Sequence, residues 1–288
     1  MRNLVTVPNF SGVAAGQTAT MTLPAGGNFT YHKLILEFGC TNTGGGNQAN
    51  TESFITQVRL KVNGKIQRAF SAKQLDSING FYNRAFQSRN SLGYLEVFLS
   101  EPWRRTPRGE DSLEWGTGDA STFTVEADIA SGATGPTLNP LAVVEYVQQP
   151  MGMISKWYLN QQPVTATGLI VNNTLPKSAN NAYQALHCFP VNATDITSVV
   201  VKTDQTIRFQ GSYYDMQSVL QSEGWTPQAS MFHIVFDMTG RVTDALPMQY
   251  LSSNGKPSGV LVGNFEIDFT MNAANGFQFI SQVLGPRD

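Results

Sequence analysis

From Val58 to Val62 apolar and polar residues alternate: Val58, Leu60 and Val62 are separated by Arg59 and Lys61. A period of two places successive side chains on opposite faces of an extended chain, which predicts a half-buried strand. Asn63-Gly64 follows at once. Both residues tolerate the positive φ that a two-residue hairpin turn demands, so a second strand is expected to fold back on the first. The period then lengthens to that of a helix, with Leu75, Ile78 and Tyr82 on one stripe. Ser71, with Gln74 three residues later, fits a capping box at its start, and Gly80 is a weak point within it.

The same succession occurs twice. A shift of 141 residues carries Ile55-Thr56-Gln57-Val58 onto Ile196-Thr197-Ser198-Val199, Lys61 onto Lys202, Ile66 onto Ile207, Ser71 onto Ser212 and Ser77 onto Ser218. In the second copy Val199, Val201 and Thr203 alternate, and Asp204-Gln205 takes the turn position, a weaker pair that is expected to open the loop. Met216, Val219 and Leu220 form the helical stripe, Ser212 with Asp215 the start, and Gly224 the stop. At slightly different shifts, Tyr94-Leu95-Glu96-Val97-Phe98 matches Phe232-His233-Ile234-Val235-Phe236, and Phe123-Thr124-Val125-Glu126 matches Phe265-Glu266-Ile267-Asp268. The first strand of each half finds no clear counterpart in the other.

Turn-rich stretches such as Thr43-Gly44-Gly45-Gly46-Asn47 and residues 130–136 and 252–257 lie between these elements. Short strands with turn signals between them, in two units of similar size, predict an all-β chain: two tandem jelly-roll β-sandwiches, each with a short helix after a central hairpin. The expected domains are residues 1–148 and 149–288. Charged residues make up 14% of the chain, against about 25% in ordinary soluble domains. Scarce charge lowers the desolvation cost of broad contact surfaces. With a formal net charge of -2 and only Arg104, Arg105 and Arg108 close together, no basic stripe marks a nucleic-acid binder, and no sequence-specific contact with nucleic acid is expected. The start of the chain shows no apolar core of a secretory signal, so residence in the cytosol, or release from it by lysis, is expected.

Candidate chemistry is sparse. His32, His187 and His233 are scattered, each within a strand-like run and none in a His-x-His pair, so packing is their expected role. A metal-dependent bicupin, the obvious enzyme built from two jelly rolls, would need clustered histidines with a carboxylate. Residues 101–119 hold Glu101, Glu110, Asp111, Glu114 and Asp119 beside Arg104, Arg105, Arg108, Trp103 and Trp115. That composition fits a solvated loop, an arginine–carboxylate network between subunits, or a structural calcium site, the one cofactor it would take. Trp157-Tyr158 and Tyr213-Tyr214 are the aromatic pairs a carbohydrate-binding reading would use, with packing the simpler alternative. Asn28, Asn172 and Asn192 sit in glycosylation triplets expected by chance in so Asn- and Thr-rich a chain. Cys40 and Cys188 fit two small buried residues or a disulfide. No phosphate loop, nucleophile elbow or triad stands out, so no catalytic, cofactor-binding or metal residue is assigned.

The duplicated units over 55–82 and 196–224, together with the opening Met1-Arg2-Asn3-Leu4-Val5-Thr6, resemble those of double jelly-roll major capsid proteins of tailless, membrane-containing icosahedral bacteriophages of the corticovirus type. The resemblance implies a non-enzymatic coat protein that forms a homotrimer with a pseudo-hexagonal outline, so that one chain tiles the facets of a shell. It further implies neighbouring capsomers, minor capsid, vertex and membrane proteins, and the surface of an inner lipid membrane as partners. Double-stranded DNA would lie within that membrane, and the virion would be assembled in the host cytoplasm.

Overall fold

The computed structural model of the protein describes residues 1–105 and 113–288. The alternation seen in sequence becomes a hairpin in both halves, Ile55–Val62 with Lys65–Phe70 and Ile196–Thr203 with Thr206–Ser212. Val58, Leu60 and Val62 are fully buried, as are Ile196, Val199 and Val201. The two leading strands share the same residue-by-residue order of buried and exposed positions.

The Asp204-Gln205 turn is not opened. It keeps two residues, with φ of 46° and 69° against 49° and 78° at Asn63 and Gly64. Left-handed backbone is costly for a residue with a Cβ, by roughly 1 kcal/mol or more, so something must hold it there. The Asp204 carboxylate accepts hydrogen bonds from the backbone N–H groups of Gly263 (3.1 Å) and Asn264 (2.6 Å) and from the Tyr250 hydroxyl, while its own N–H donates to Asn264 O (3.0 Å). Asn63 does the same in the first half: its Oδ1 accepts from Ser121 N (2.8 Å) and Thr122 N (3.1 Å), and its N–H donates to Thr122 O (3.0 Å). Each turn is thereby fastened to the start of the strand beside it.

Three α-helices occur among the described residues: α1 (Gln48–Phe54), α2 (Ala72–Phe81) and α3 (Tyr213–Ser222). Reciprocal capping boxes open α2 at Ser71/Gln74 and α3 at Ser212/Asp215, as expected. Gly80 lies within the last turn of α2, and the stop is Asn83, at φ 60°: Asn83 N donates to Gly80 O (3.0 Å) and Arg84 N to Asn79 O (2.8 Å). Gly224, at φ 81°, closes α3 the same way, through Gly224 N to Gln221 O (2.9 Å) and Trp225 N to Leu220 O (3.0 Å). Both are Schellman ends, and the 141-residue shift carries Asn83 onto Gly224. Helix α1 was not anticipated. Asn47, the last residue of the turn-rich run, caps it by accepting from Asn50 N; the second half has a tight turn there, in which Asp195 accepts from Asn192 N (3.1 Å).

In the first unit one sheet runs Asn3–Thr6, Thr137–Glu145, Thr30–Gly39, Leu92–Phe98, Gln87–Arg89, all antiparallel. The facing sheet runs Lys65–Phe70, Ile55–Val62, Phe123–Ile129, Thr18–Leu23. The sheets meet through Tyr31 and Phe123, whose rings stand edge to face at 5.4 Å. The second unit repeats the order, with Phe277–Gly285, Ala182–Phe189, Phe232–Val235 in one sheet and Thr206–Ser212, Ile196–Thr203, Phe265–Met271, Gly168–Asn172 in the other. Tyr183 and Phe265 meet at 4.8 Å. Tyr31 and Tyr183 also each donate a hydroxyl to the carbonyl of a proline seven residues earlier, Pro24 (2.9 Å) and Pro176 (2.8 Å). That shared tether identifies Thr30–Gly39 and Ala182–Phe189 as equivalent strands, a pairing the sequence comparison did not find. The compact units are Met1–Tyr158 with Pro286–Asp288, and Leu159–Gly285.

Replacing Asn63 with alanine removes the acceptor for two strand N–H groups and leaves a Cβ-bearing residue at positive φ without compensation. A loss of about 1–3 kcal/mol is expected in equilibrium denaturation, with Asn63→Asp retaining most of the stability.

Candidate functional site

The charged stretch around residues 101–119 is where sequence reading placed the most chemistry. Glu101 and Arg104 form a buried ion pair three residues apart. Glu114 accepts from the Gln149 side chain and lies 3.4 Å from His32 Nε2; burial pushes its carboxyl above the ordinary range. Asp119 accepts from Met151 N (2.8 Å) and pairs with Arg287 at 3.1 Å. These carboxylates are thus separately engaged within one chain, and among the described residues no three His, Cys, Asp or Glu side chains converge as a metal ligand set. Glu110, Asp111 and Arg108 lie outside the described residues.

The tryptophans of this stretch are structural. Trp103 stacks on Tyr82 at 4.1 Å and 9°. Trp115 and Trp157 flank the guanidinium of Arg68, which lies 5.4 Å and 4.9 Å from their ring centres and donates to Ser155 O (2.7 Å) and Phe98 O (2.5 Å). Burial lowers Arg68 to about 10, opposed by Glu101 and Tyr82, so it stays charged at neutral pH. Trp157 is buried and packs on Phe70 at 5.5 Å, which removes it from any sugar-stacking surface. Tyr213 donates to Ala229 O (2.8 Å) in the first turn of α3, while Tyr214 is exposed. Asn172 is buried and donates to Gln162, so its glycosylation triplet is closed to modification.

All three histidines are buried, and they are not all scattered: His187 and His233, far apart in sequence, face each other across adjacent strands with Nδ1 atoms 2.8 Å apart. Nothing in a one-dimensional reading brings them together, because the pairing depends on strand register. Cys40 and Cys188 are free thiols, and burial pushes the Cys188 thiol far up. Open clefts of about 350 and 280 Å³ in the second unit are lined by Arg208, Leu246 and Pro247, with Tyr250 in one and Asp244 in the other; neither combines a histidine with a carboxylate.

What remains is surface. On the outer face of the hairpin sheet, Arg59 binds Glu126 and Asp128, and Lys61 binds Glu126; the second unit repeats this with Lys202 on Glu266 and Asp268. Self-neutralised faces of this kind present little net charge. Apolar side chains stay exposed elsewhere: Leu169 and Val171 on one face of the edge strand Gly168–Asn172, and Leu251, Val260 and Leu261 on the hairpin of Gln249–Leu251 with Pro257–Leu261. Such residues mark contact surfaces rather than catalytic ones.

Comparison with known proteins agrees with that reading. Residues 4–145 match the family model described as viral coat protein P2 N-terminal domain, and residues 154–286 the corresponding C-terminal domain. The fold is similar to that of the major capsid protein P2 from Bacteriophage PM2, at 18% identity and a TM-score of 0.83 over 100% of this chain and 98% of that one. It is also similar to a chain of Sulfolobus Turreted Icosahedral Virus (13% identity, TM-score 0.69, 99% and 91% covered) and to one of the PBCV-1 virus capsid (11%, 0.65, 98% and 94%). No curated protein matches the chain. The division expected after residue 148 falls in the interval between the two family matches, while the compact units assign residues up to Tyr158 to the first.

In native protein, alkylation is expected to modify half-exposed Cys40 well before Cys188, with both thiols titrating fully after denaturation without reductant. Mass spectrometry of the labelled peptides checks this.

Proposed function

Because the chain belongs to the viral coat protein P2 family, both of whose domains it carries, we propose that it forms homotrimers of pseudo-hexagonal outline that tile an icosahedral shell around an internal membrane and double-stranded DNA. It is a structural component of the virion and not an enzyme. The observation that carries the finer reading is the repetition of one sheet order in both units. Three chains supply six similar blocks, so threefold symmetry yields a nearly sixfold tile whose neighbours meet through heterologous contacts.

The exposed apolar residues of the second unit support lateral contact between copies, since burying them offsets the cost of association. The paired charges of the outer faces support close approach without stripping isolated ions of water. Minor capsid, vertex and membrane proteins and the lipid surface are the remaining partners this reading assigns, with assembly in the host cytoplasm. A calcium ion held near residues 101–119 belongs to the same reading.

Light scattering on the purified protein is expected to give about 94 kDa, three times the 31.4 kDa chain, with hexagonal outlines in negative stain; a monomer at all concentrations would overturn the trimer. Leu169→Asp with Val171→Asp is expected to weaken association at least tenfold while leaving the circular dichroism spectrum unchanged.

A further inference from the structure

In the second unit Val235 lies opposite Ala185, and two residues along, His233 lies opposite His187, both deeply buried. The bulge after Tyr31 and Tyr183, and the bonds of Leu99 N to His32 O and of Phe236 N to Gln184 O beside it, place Ile35 opposite Glu96 where the second unit has His187 opposite His233.

The hydrogen bonds fix the protons. The backbone N–H of Gln228 donates to His233 Nε2 (3.1 Å), so that nitrogen carries none. The neutral ring then holds its proton on Nδ1 and donates it to His187 Nδ1, 2.8 Å away. His187, accepting on Nδ1, holds its own proton on Nε2. An added proton has only two places to go: on His187 Nδ1 it meets the N–H of His233, and on His233 Nε2 it meets the N–H of Gln228. Either breaks the contact.

The Gln282 side chain favours a charged His187, but burial outweighs it. The strand Phe277–Gly285 places Ile280 opposite His187 and supplies the Gln282 side chain as a hydrogen-bond partner. From α3 and the segment after it, Tyr213, Gln217, Leu220 and Pro227 line the space beside His233, with no carboxylate among them. Tyr213 is the one titratable group there; burial raises its pKa, so it stays neutral in acid. The ring of His187 acts on His233 in the same sense as burial, disfavouring a charge.

We propose that the His187–His233 pair is an acid-operated latch: proton uptake by either ring parts the strands Ala182–Phe189 and Phe232–Val235 and loosens the second unit, while the first unit, with Ile35 opposite Glu96 at that place, stays closed. Burial holds His187 at about 4 against an ordinary 6.5, and His233 well below 6.5. The unfolded chain then binds the extra proton, so stability is full above about pH 6.5 and is lost as pH falls towards about 4. At pH 5 one ring alone raises the opening equilibrium about 30-fold.

Hydrogen exchange of the full chain read by mass spectrometry, at about pH 7.5 and about pH 5 with intrinsic rates corrected, tests this through an internal control. Peptides covering 182–189 and 232–235 are expected to lose protection about 30-fold, those covering 30–39 and 92–98 to keep it, and the variant His187→Leu/His233→Leu to abolish the difference. Nitrogen-15 shifts of the imidazoles in the unmodified protein give a readout that needs no variant: both rings are expected to stay neutral until protection is lost. Equal loss in both units, acid loss persisting in the double leucine variant, or rings that titrate near 6.5 with the strands still protected would each overturn the latch.

Discussion

In each unit the strands are aligned by one side chain that reaches from a hairpin turn to the start of the neighbouring strand. Asn63 and Asp204 each take a left-handed conformation, and each accepts the backbone N–H groups of the two residues just before the adjacent strand. The turn fixes the register of the hairpin, and the same side chain fixes the register of the third strand against it. Side chains alternate with a period of two, so a slip of one residue would turn Val58, Leu60 and Val62 out of the core and Arg59 and Lys61 into it. The ring contacts of Tyr31 with Phe123 and Tyr183 with Phe265 rest on this placement, since both phenylalanines open the strand so fastened.

The hairpins, α2 and α3 were legible in the sequence because every determinant lies within a few residues: alternation, turn pair, Ser cap, helical stripe. Asp204-Gln205 misled because a two-residue turn was judged by its own pair, and the groups that stabilise it, Gly263, Asn264 and Tyr250, come from remote parts of the chain. No stop was read for α2, because glycine is the commoner left-handed helix end and Gly80 stood out only as a weak point within the helix, although asparagine also takes that state. Thr30–Gly39 and Ala182–Phe189 escaped matching because the spacing from Tyr31 to Tyr183 exceeds that of the hairpins by eleven residues, although both strands bulge after the tyrosine. Of the surface and core chemistry, the isolation of the histidines was the wrong inference, and Arg68, lodged between two tryptophans, gave no signal beyond its charge.

The two copies have diverged where a sheet can absorb change without altering its shape. The first unit adds α1 and carries a buried guanidinium between aromatic rings. The second lacks that helix among its described residues and has two imidazoles in place of Ile35 and Glu96. Strand order is untouched in either case.

The spacing between equivalent residues records the ancestry of the duplication. It is constant from Ile55 and Ile196 through Asn83 and Gly224, shorter by four at Leu99 and Phe236, longer by one at Phe123 and Phe265, and longer by eleven at Tyr31 and Tyr183. Insertions and deletions have been accepted on either side of the hairpin–helix segment and none has survived inside it. A turn whose side chain is bonded elsewhere, followed by a helix capped at both ends, leaves no position where a residue could be added without breaking several bonds at once, so this segment has been inherited as a unit while the loops around it drifted in length.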